Sequence, residues 1–284
     1  GKYIGGSRRW FRFGSLSFQP SEFAKVAMVI ALAHWIAIAG PRMSEFRVGF
    51  LAPIIPLGIA WILVFMEPDL GTAVLLVVVG LLMLFLGGTR PLYLFGSVAI
   101  GVALLTLFVW TFWSNPKVQH RIERLRVFVD PDRNPAMSYQ SKQSQESFTM
   151  GGVTGRGLGK SLQKHFYLPE SHTDFILPII GEELGIAASI GLVILFGALF
   201  LAGVTISIHA PDTFGRFMGL GLTLIIAVQA LINVGVVTGC LPTKGLPLPF
   251  ISYGGSSLVM SLVSVGLLVS IARRSPMSKI PVRP

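Results

Sequence analysis

Residues 70–88 hold no charged side chain. In hydrocarbon no water meets backbone N–H and C=O groups, so such a run must close its hydrogen bonds within itself, as a helix. About 20 apolar residues cover the roughly 30 Å hydrocarbon core. By that measure seven segments are predicted to cross a bilayer: 22–40, 46–66, 70–87, 91–113, 174–205, 213–239 and 256–272. Pro53, Pro56 and Pro178 fall inside apolar runs, where transmembrane helices tolerate proline as a kink. The segment 174–205 exceeds one crossing and is expected to open with a tilted or interfacial turn. Only 13% of the 284 residues are charged, against roughly 25% in soluble domains, and mean hydropathy is +0.70. Those values exclude an ordinary soluble enzyme, and an apolar share of 52% excludes a disordered chain. The fold class expected is an all-α polytopic membrane protein.

A single cysteine, Cys240, excludes an internal disulfide and any multi-cysteine metal cluster. The net charge of +10 fits anionic lipid, a phosphorylated substrate or topology bias. The chain opens on Gly1 rather than methionine, upstream sequence is expected, and residues 1–21 read as a connecting loop. Residues 273–284 read as a short basic tail. The long exception to the helices is 114–172, whose 59 residues hold nine Lys/Arg and five acids. Loops of that length are uncommon unless functional, so this one is expected to fold against the membrane face and build a site. Within it, 119–129 has the pattern of a short amphipathic surface helix.

Seven crossings put the chain ends on opposite sides. The side of the long loop carries fourteen Lys/Arg and the other eight, so a positive-inside count alone would make the loop cytoplasmic. The opposite orientation is preferred. Helices upstream of the chain can set orientation, and a basic cluster outside is expected if it holds a pyrophosphate.

Charged groups inside membrane helices default to functional candidates. Glu22 and Lys25 share one helix face and can pair, as a site or as a structural ion pair. Asp69, in Glu67-Pro68-Asp69-Leu70-Gly71-Thr72, suits a helix N-cap, which leaves room for a second role. Glu182 and Glu183 lie about 100° apart around a helix, so one is expected to bind and the other to pack against loops or polar partners. The run Gly151-Gly152-Val153-Thr154-Gly155-Arg156-Gly157-Leu158-Gly159-Lys160-Ser161 ends like a P-loop. The pattern's first glycine would fall at Thr154, however, and no strand precedes it. It reads as a phosphate cradle built from exposed N–H groups, or as a flexible turn.

Two further motifs carry more. Gln163-Lys164-His165-Phe166-Tyr167-Leu168-Pro169-Glu170-Ser171-His172-Thr173-Asp174-Phe175 ends where the loop meets a helix at the water–lipid boundary. Partial desolvation there suits Asp174 to general-base work, and an N-cap is the plainer reading. His172 with Asp174 offers only two metal ligands. Leu241-Pro242-Thr243-Lys244-Gly245-Leu246-Pro247-Leu248-Pro249-Phe250-Ile251-Ser252-Tyr253-Gly254-Gly255-Ser256-Ser257 holds too many prolines and glycines for regular helix. Non-helical backbone at membrane depth has to be covered by protein or line a wet cavity, so this segment is expected to line a cavity on the loop's side.

Together and in this order, these two motifs resemble the SEDS family of bacterial cell-wall glycosyltransferases, which includes RodA and FtsW. The resemblance runs over nearly the whole chain. It takes in Gly6-Ser7-Arg8-Arg9-Trp10, Gln19-Pro20-Ser21-Glu22 with Lys25, Pro68-Asp69-Leu70-Gly71-Thr72, Tyr139-Gln140, Gln143-Ser144, Gly181-Glu182-Glu183-Leu184-Gly185 and Asn233. The spellings of 167–174 and 241–249 look closer to the division branch, FtsW, than to RodA. The family has ten transmembrane helices, and the seven here align with its fourth to tenth. Residues 1–284 then form a single transmembrane domain lacking the N-terminal helices, with 114–172 as the large extracytoplasmic loop and 273–284 as a cytoplasmic tail. One stretch departs: after Gln143-Ser144 the family runs apolar into a glycine-rich turn. Here Gln145, Glu146, Ser147, Thr149 and Met150 intervene.

The resemblance implies polymerisation of lipid II, a disaccharide-peptide on an undecaprenyl pyrophosphate, by inverting glycosyl transfer for septal wall synthesis. Asp174 matches the family's essential aspartate and is the expected base. Arg9, Lys25 and Lys164 are the expected cations for the leaving pyrophosphate, with Lys244 and Arg156 behind them. Glu22, Asp69, Gln143, His172, Thr173 and Glu183 are expected to position substrate. A divalent cation, Mg or Mn, can share the charge; no organic cofactor is implied. The implied setting is the bacterial inner membrane, with the active site on its extracytoplasmic face. The implied partners are a class B penicillin-binding protein and other division proteins, with no nucleic acid. Two other functions fit a polytopic chain: a lipid II flippase, and a non-catalytic division scaffold.

Overall fold

The computed structural model describes residues 2–4, 7–13, 16–67, 69–164, 172–242 and 246–275. Nine α-helices dominate the described residues: α1 Pro20–Ala39, α2 Ala52–Met66, α3 Leu70–Leu86, α4 Pro91–Thr111, α5 Pro116–Val129, α6 Pro135–Gly151, α7 Ile176–Ile208, α8 Thr213–Val237 and α9 Gly255–Arg274. Among the described residues, six helical segments are long and apolar enough to cross a membrane: Pro20–Ser44, Phe46–Met66, Pro91–Thr111, Ile176–Ile208, Thr213–Val237 and Gly255–Arg274. The seventh, Leu70–Leu86, is apolar throughout but shorter, at 17 residues. All seven expected spans are helical. A 3₁₀ turn at Gly40–Ser44 and a π-helical turn at Phe46–Leu51 link α1 to α2, and Pro56 sits inside α2.

Residues 1–21, expected as a loop, instead carry an antiparallel meander of β1 Lys2–Ile4, β2 Ser7–Phe13 and β3 Leu16–Phe18. Ile4 pairs with Ser7 and Phe13 with Leu16, so two residues separate each pairing. Those residues are Gly5-Gly6 and Gly14-Ser15, between runs rich in Tyr, Ile, Trp and Phe. Two-residue glycine-containing links between β-formers favour hairpins.

The chain divides into two compact units. The first comprises Gly1–Leu94, Leu195–Gln229 and Pro249–Pro284; the second comprises Phe95–Ile194 and Ala230–Leu248. In the first, Leu32, Ile36, Met43, Leu75, Met83, Leu84 and Leu222 are fully buried. There α1 packs against α3 and α9, and α2 against α3. In the second, Phe175, Leu177, Ile179, Val236, Val237, Leu246 and Leu248 are among the buried residues. Along α4 only Leu94 is buried, as suits a helix that is apolar all round and faces hydrocarbon.

The long loop is mostly helical. Its expected amphipathic helix is α5, begun three residues earlier. The second helix, α6, starts with an Asn-Pro signal: Asn134 Oδ1 accepts the Met137 N–H at 3.3 Å, and Pro135 fills the first turn. Ser138, Ser144, Ser147 and Gly151 are buried, with Ser144 Oγ donating to the Val237 carbonyl at 2.6 Å. Gln145, Glu146, Thr149 and Met150, which depart from the family spelling, are exposed. Helical spacing thus separates small inward residues from polar outward ones.

α7 is interrupted at Gly185, where φ is 86° and ψ 171°. In an unbroken helix the carbonyls of Glu182 and Glu183 would accept from residues 186 and 187. They accept instead from Arg156 N at 3.0 Å and Gly157 N at 2.9 Å, while Ile186 N donates to the Gly152 carbonyl at 2.9 Å. The break falls at Gly185 rather than at Pro178. A Cβ on Gly185 would run into the Val153 carbonyl oxygen, and one on Gly155 (φ 78°) into that of Glu183. Only two glycines permit this backbone contact.

Gly185→Ala is therefore expected to cost at least about 1–3 kcal/mol and to lower the unfolding temperature in detergent. Gly191→Ala, also in α7 but with open space around its Cβ position, serves as control. Equal effects of the two substitutions would refute the backbone argument.

Candidate active site

In the first unit, Lys25 Nζ donates to Glu22 Oε1 at 2.9 Å and to Gln229 Oε1 at 2.7 Å. All three side chains are buried, and they line a small cavity with Met260, Ser261 and Ser264. The pairing of Glu22 with Lys25 is the one expected from their spacing; Gln229 joins it only in the structure. Its signal was available: Gln229 and Asn233 are the polar residues of an otherwise apolar stretch of α8, four apart. Asp69 caps α3. Its Oδ1 accepts from Thr72 N at 3.1 Å, and its Oδ2 from Thr72 Oγ1 at 2.9 Å and Gln19 Nε2 at 3.4 Å. Arg9 lies on β2, and its side chain is outside the described residues.

In the second unit, Asp174 is half-buried in the turn 172–175 that leads into α7, beside exposed His172 and half-buried Thr173. The Asp174 carbonyl accepts from Asn233 Nδ2 at 2.8 Å, and the same nitrogen donates to the Leu246 carbonyl at 2.7 Å. Gln143 and Lys164 are half-buried. Lys244 lies outside the described residues.

The adjacent glutamates differ in environment. Glu182 is fully buried, and its carboxylate accepts from Ser161 Oγ at 2.5 Å, Leu162 N at 2.9 Å and Gln163 N at 3.3 Å, with Arg156 at 3.6 Å. It organises the loop that carries Lys164, whose N–H donates to Ser161 Oγ at 3.0 Å. Glu183 is also buried, but its Oε1 has no hydrogen-bond partner among the described residues. Three N–H groups of the glycine-rich run are closed to a phosphate. The N–H groups of Gly155, Arg156 and Gly157 are spent on the carbonyls of Gly151, Glu182 and Glu183. The exposed Arg156 guanidinium faces Glu182.

Farther along the loop, the Lys142 ammonium bonds Asp132 at 2.7 Å and holds that carboxyl below the usual carboxylate range. Burial lowers the Arg124 guanidinium from its ordinary value. Among the described residues no three His, Cys, Asp or Glu side chains come together. They do not make a protein-built cage for a divalent cation. A magnesium-type ion is usually held instead by one or two carboxylates, waters and substrate phosphates.

The family model for the cell cycle proteins FtsW, RodA and SpoVE matches residues 1–276. The chain belongs to that family. It is 41% identical over 270 residues to a probable peptidoglycan glycosyltransferase FtsW of Geobacter metallireducens, covering 95% of this chain and 70% of the relative. Stage V sporulation protein E of Bacillus subtilis is 40% identical over 271 residues, covering 95% and 72%. Among solved structures, one described as showing structural coordination of polymerization and crosslinking by a peptidoglycan synthase complex matches with a TM-score of 0.75 and 29% identity. It covers 97% of this chain and 76% of its own. With its apolar helices, this FtsW/RodA/SpoVE family member is a multi-pass membrane protein.

Removing one partner of a buried ion pair strands the other's charge, at about 3–5 kcal/mol. Lys25→Met is therefore expected to lower the unfolding temperature in detergent strongly. Adding Glu22→Gln should recover most of that loss. A double variant no more stable than the single one would show that the pair is not coupled as described.

Proposed function

We propose that the protein polymerises lipid II into glycan strands as an inverting peptidoglycan glycosyltransferase of the FtsW type. Close relatives named for this activity support the reaction class. The observation that carries the local chemistry is the placement of Asp174: half-buried, in the turn at the head of α7, with its backbone fastened to α8. Its carboxylate takes the proton from the acceptor's sugar hydroxyl as that oxygen bonds to C1 of the donor sugar. The C1–O bond to the pyrophosphate breaks, the leaving oxygen keeps the electron pair, and the configuration at C1 inverts. General-base assistance of this kind contributes roughly 10²–10⁴-fold.

Charge builds on the departing diphosphate, where a fixed cation lowers the barrier. Lys164 is assigned that role, because Glu182 and Ser161 order its loop and it belongs to the same unit as Asp174. Lys244, outside the described residues, is a weaker candidate. Lys25 is committed to Glu22 and Gln229, which favours a structural role for it. A divalent cation, where one takes part, would arrive on the pyrophosphate oxygens. The setting proposed is the bacterial inner membrane, with Asp174 on the extracytoplasmic face. A class B penicillin-binding protein is the partner, in line with the synthase complex that the chain resembles.

Polymerisation in detergent, where there is no bilayer to cross, distinguishes this reading from a flippase. The full-length protein is expected to make glycan polymer from lipid II. Asp174→Asn should bind lipid II, unfold near the parental temperature and lose at least about 10²-fold in rate. Parental strand synthesis by Asp174→Asn would remove this carboxylate from the reaction.

A further inference from the structure

Asn233 is fully buried in an apolar stretch of α8. Burying a carboxamide is unfavourable unless its polar atoms are bonded. Here Nδ2 gives both its protons to carbonyls, Asp174 O at 2.8 Å and Leu246 O at 2.7 Å. Carbonyls only accept, so the amide can face them only through its nitrogen. The other end, Oδ1, has no hydrogen-bond partner among the described residues. A leucine, branched at the same carbon, would avoid that unmet acceptor. What leucine would not do is hold the two backbones, and neither carbonyl belongs to regular helix: one is in the turn before α7, the other in the proline-rich segment after α8.

We propose that Asn233 is the positioning residue for Asp174, pinning the turn that bears the carboxylate and the proline-rich segment to one point on α8. The proposal rests on the polymerase reading for its kinetic consequence but not for the tether itself. Fixing the carbonyl of residue 174 fixes its Cα and so the origin of its side chain. A general base works only within about 2.6–3.2 Å of the proton it takes, and a misplacement of about 1 Å costs on the order of 10²-fold. The interruption at Gly185 increases the need for such a tether, because residues 176–184 do not continue regularly into the rest of α7. Phe175, Leu177, Leu246 and Leu248 are buried in the same unit and supply apolar packing, which is non-directional. The amide supplies direction.

Asn233→Asp keeps the shape and removes both donors; Asn233→Leu removes them without adding charge, should the aspartate fail to fold. In the full-length protein with lipid II in detergent, either folded variant is expected to lose about 10²-fold in kcat with KM within about threefold of parental. Amide hydrogen exchange of residues 172–176 is expected to speed up by about tenfold, the equivalent of one buried hydrogen bond, with little change elsewhere in α7. A folded variant with parental kcat overturns the positioning role, and unchanged exchange at 172–176 overturns the tether. Should the parental protein make no glycan, the polymerase reading falls, and faster exchange in the variants would still uphold the tether.

Discussion

Two backbone carbonyls at the interruption of α7 set the terms for the second unit. Hydrocarbon offers them nothing, so a helix opened at Gly185 has to find N–H donors within the protein. The glycine-rich segment supplies them, and it reaches them because neither backbone carries a Cβ at the contact. From that junction the rest follows in order. Glu182, on the helical turn just before the gap, gathers the amides of residues 162 and 163 and the Ser161 hydroxyl. Ser161 in turn holds the backbone of Lys164. The stretch 176–184 becomes a short helical piece with Asp174 just before its start, held to α8 by Asn233.

The first unit meets the same constraint with side chains. A carboxylate and an ammonium inside a membrane helix are each costly, and together they are tolerable when their remaining hydrogen-bonding sites are filled. Gln229 fills one for Lys25. Asp69 meets the demand differently, at a helix end where unsatisfied N–H groups want an acceptor. Both acids stood out in the sequence as buried charges in a membrane; the structure assigns one to an ion pair and the other to a cap.

The membrane spans were legible because length without charge is a one-dimensional property. The helix α6 was not, because its buried residues are serines, which hydropathy counts as surface. The strands at 2–18 were hidden by short runs that resemble interfacial aromatics until their glycine-containing links are counted. The glycine-rich run was legible as a place where N–H groups are bare, but not as to who takes them. That depends on a positive φ at Gly185, some thirty residues away in sequence. The difference between Glu182 and Glu183 was legible as a rotation around a helix; which of them meets the loop was not. Asn233 carries no charge, and nothing in its local sequence reports that two loops converge on its amide.

α3 spans 17 residues, a rise of about 26 Å, while an average bilayer core measures about 30 Å. Eight of its residues are buried, and α1 and α2 pack against it, so neighbouring helices rather than acyl chains cover much of its length.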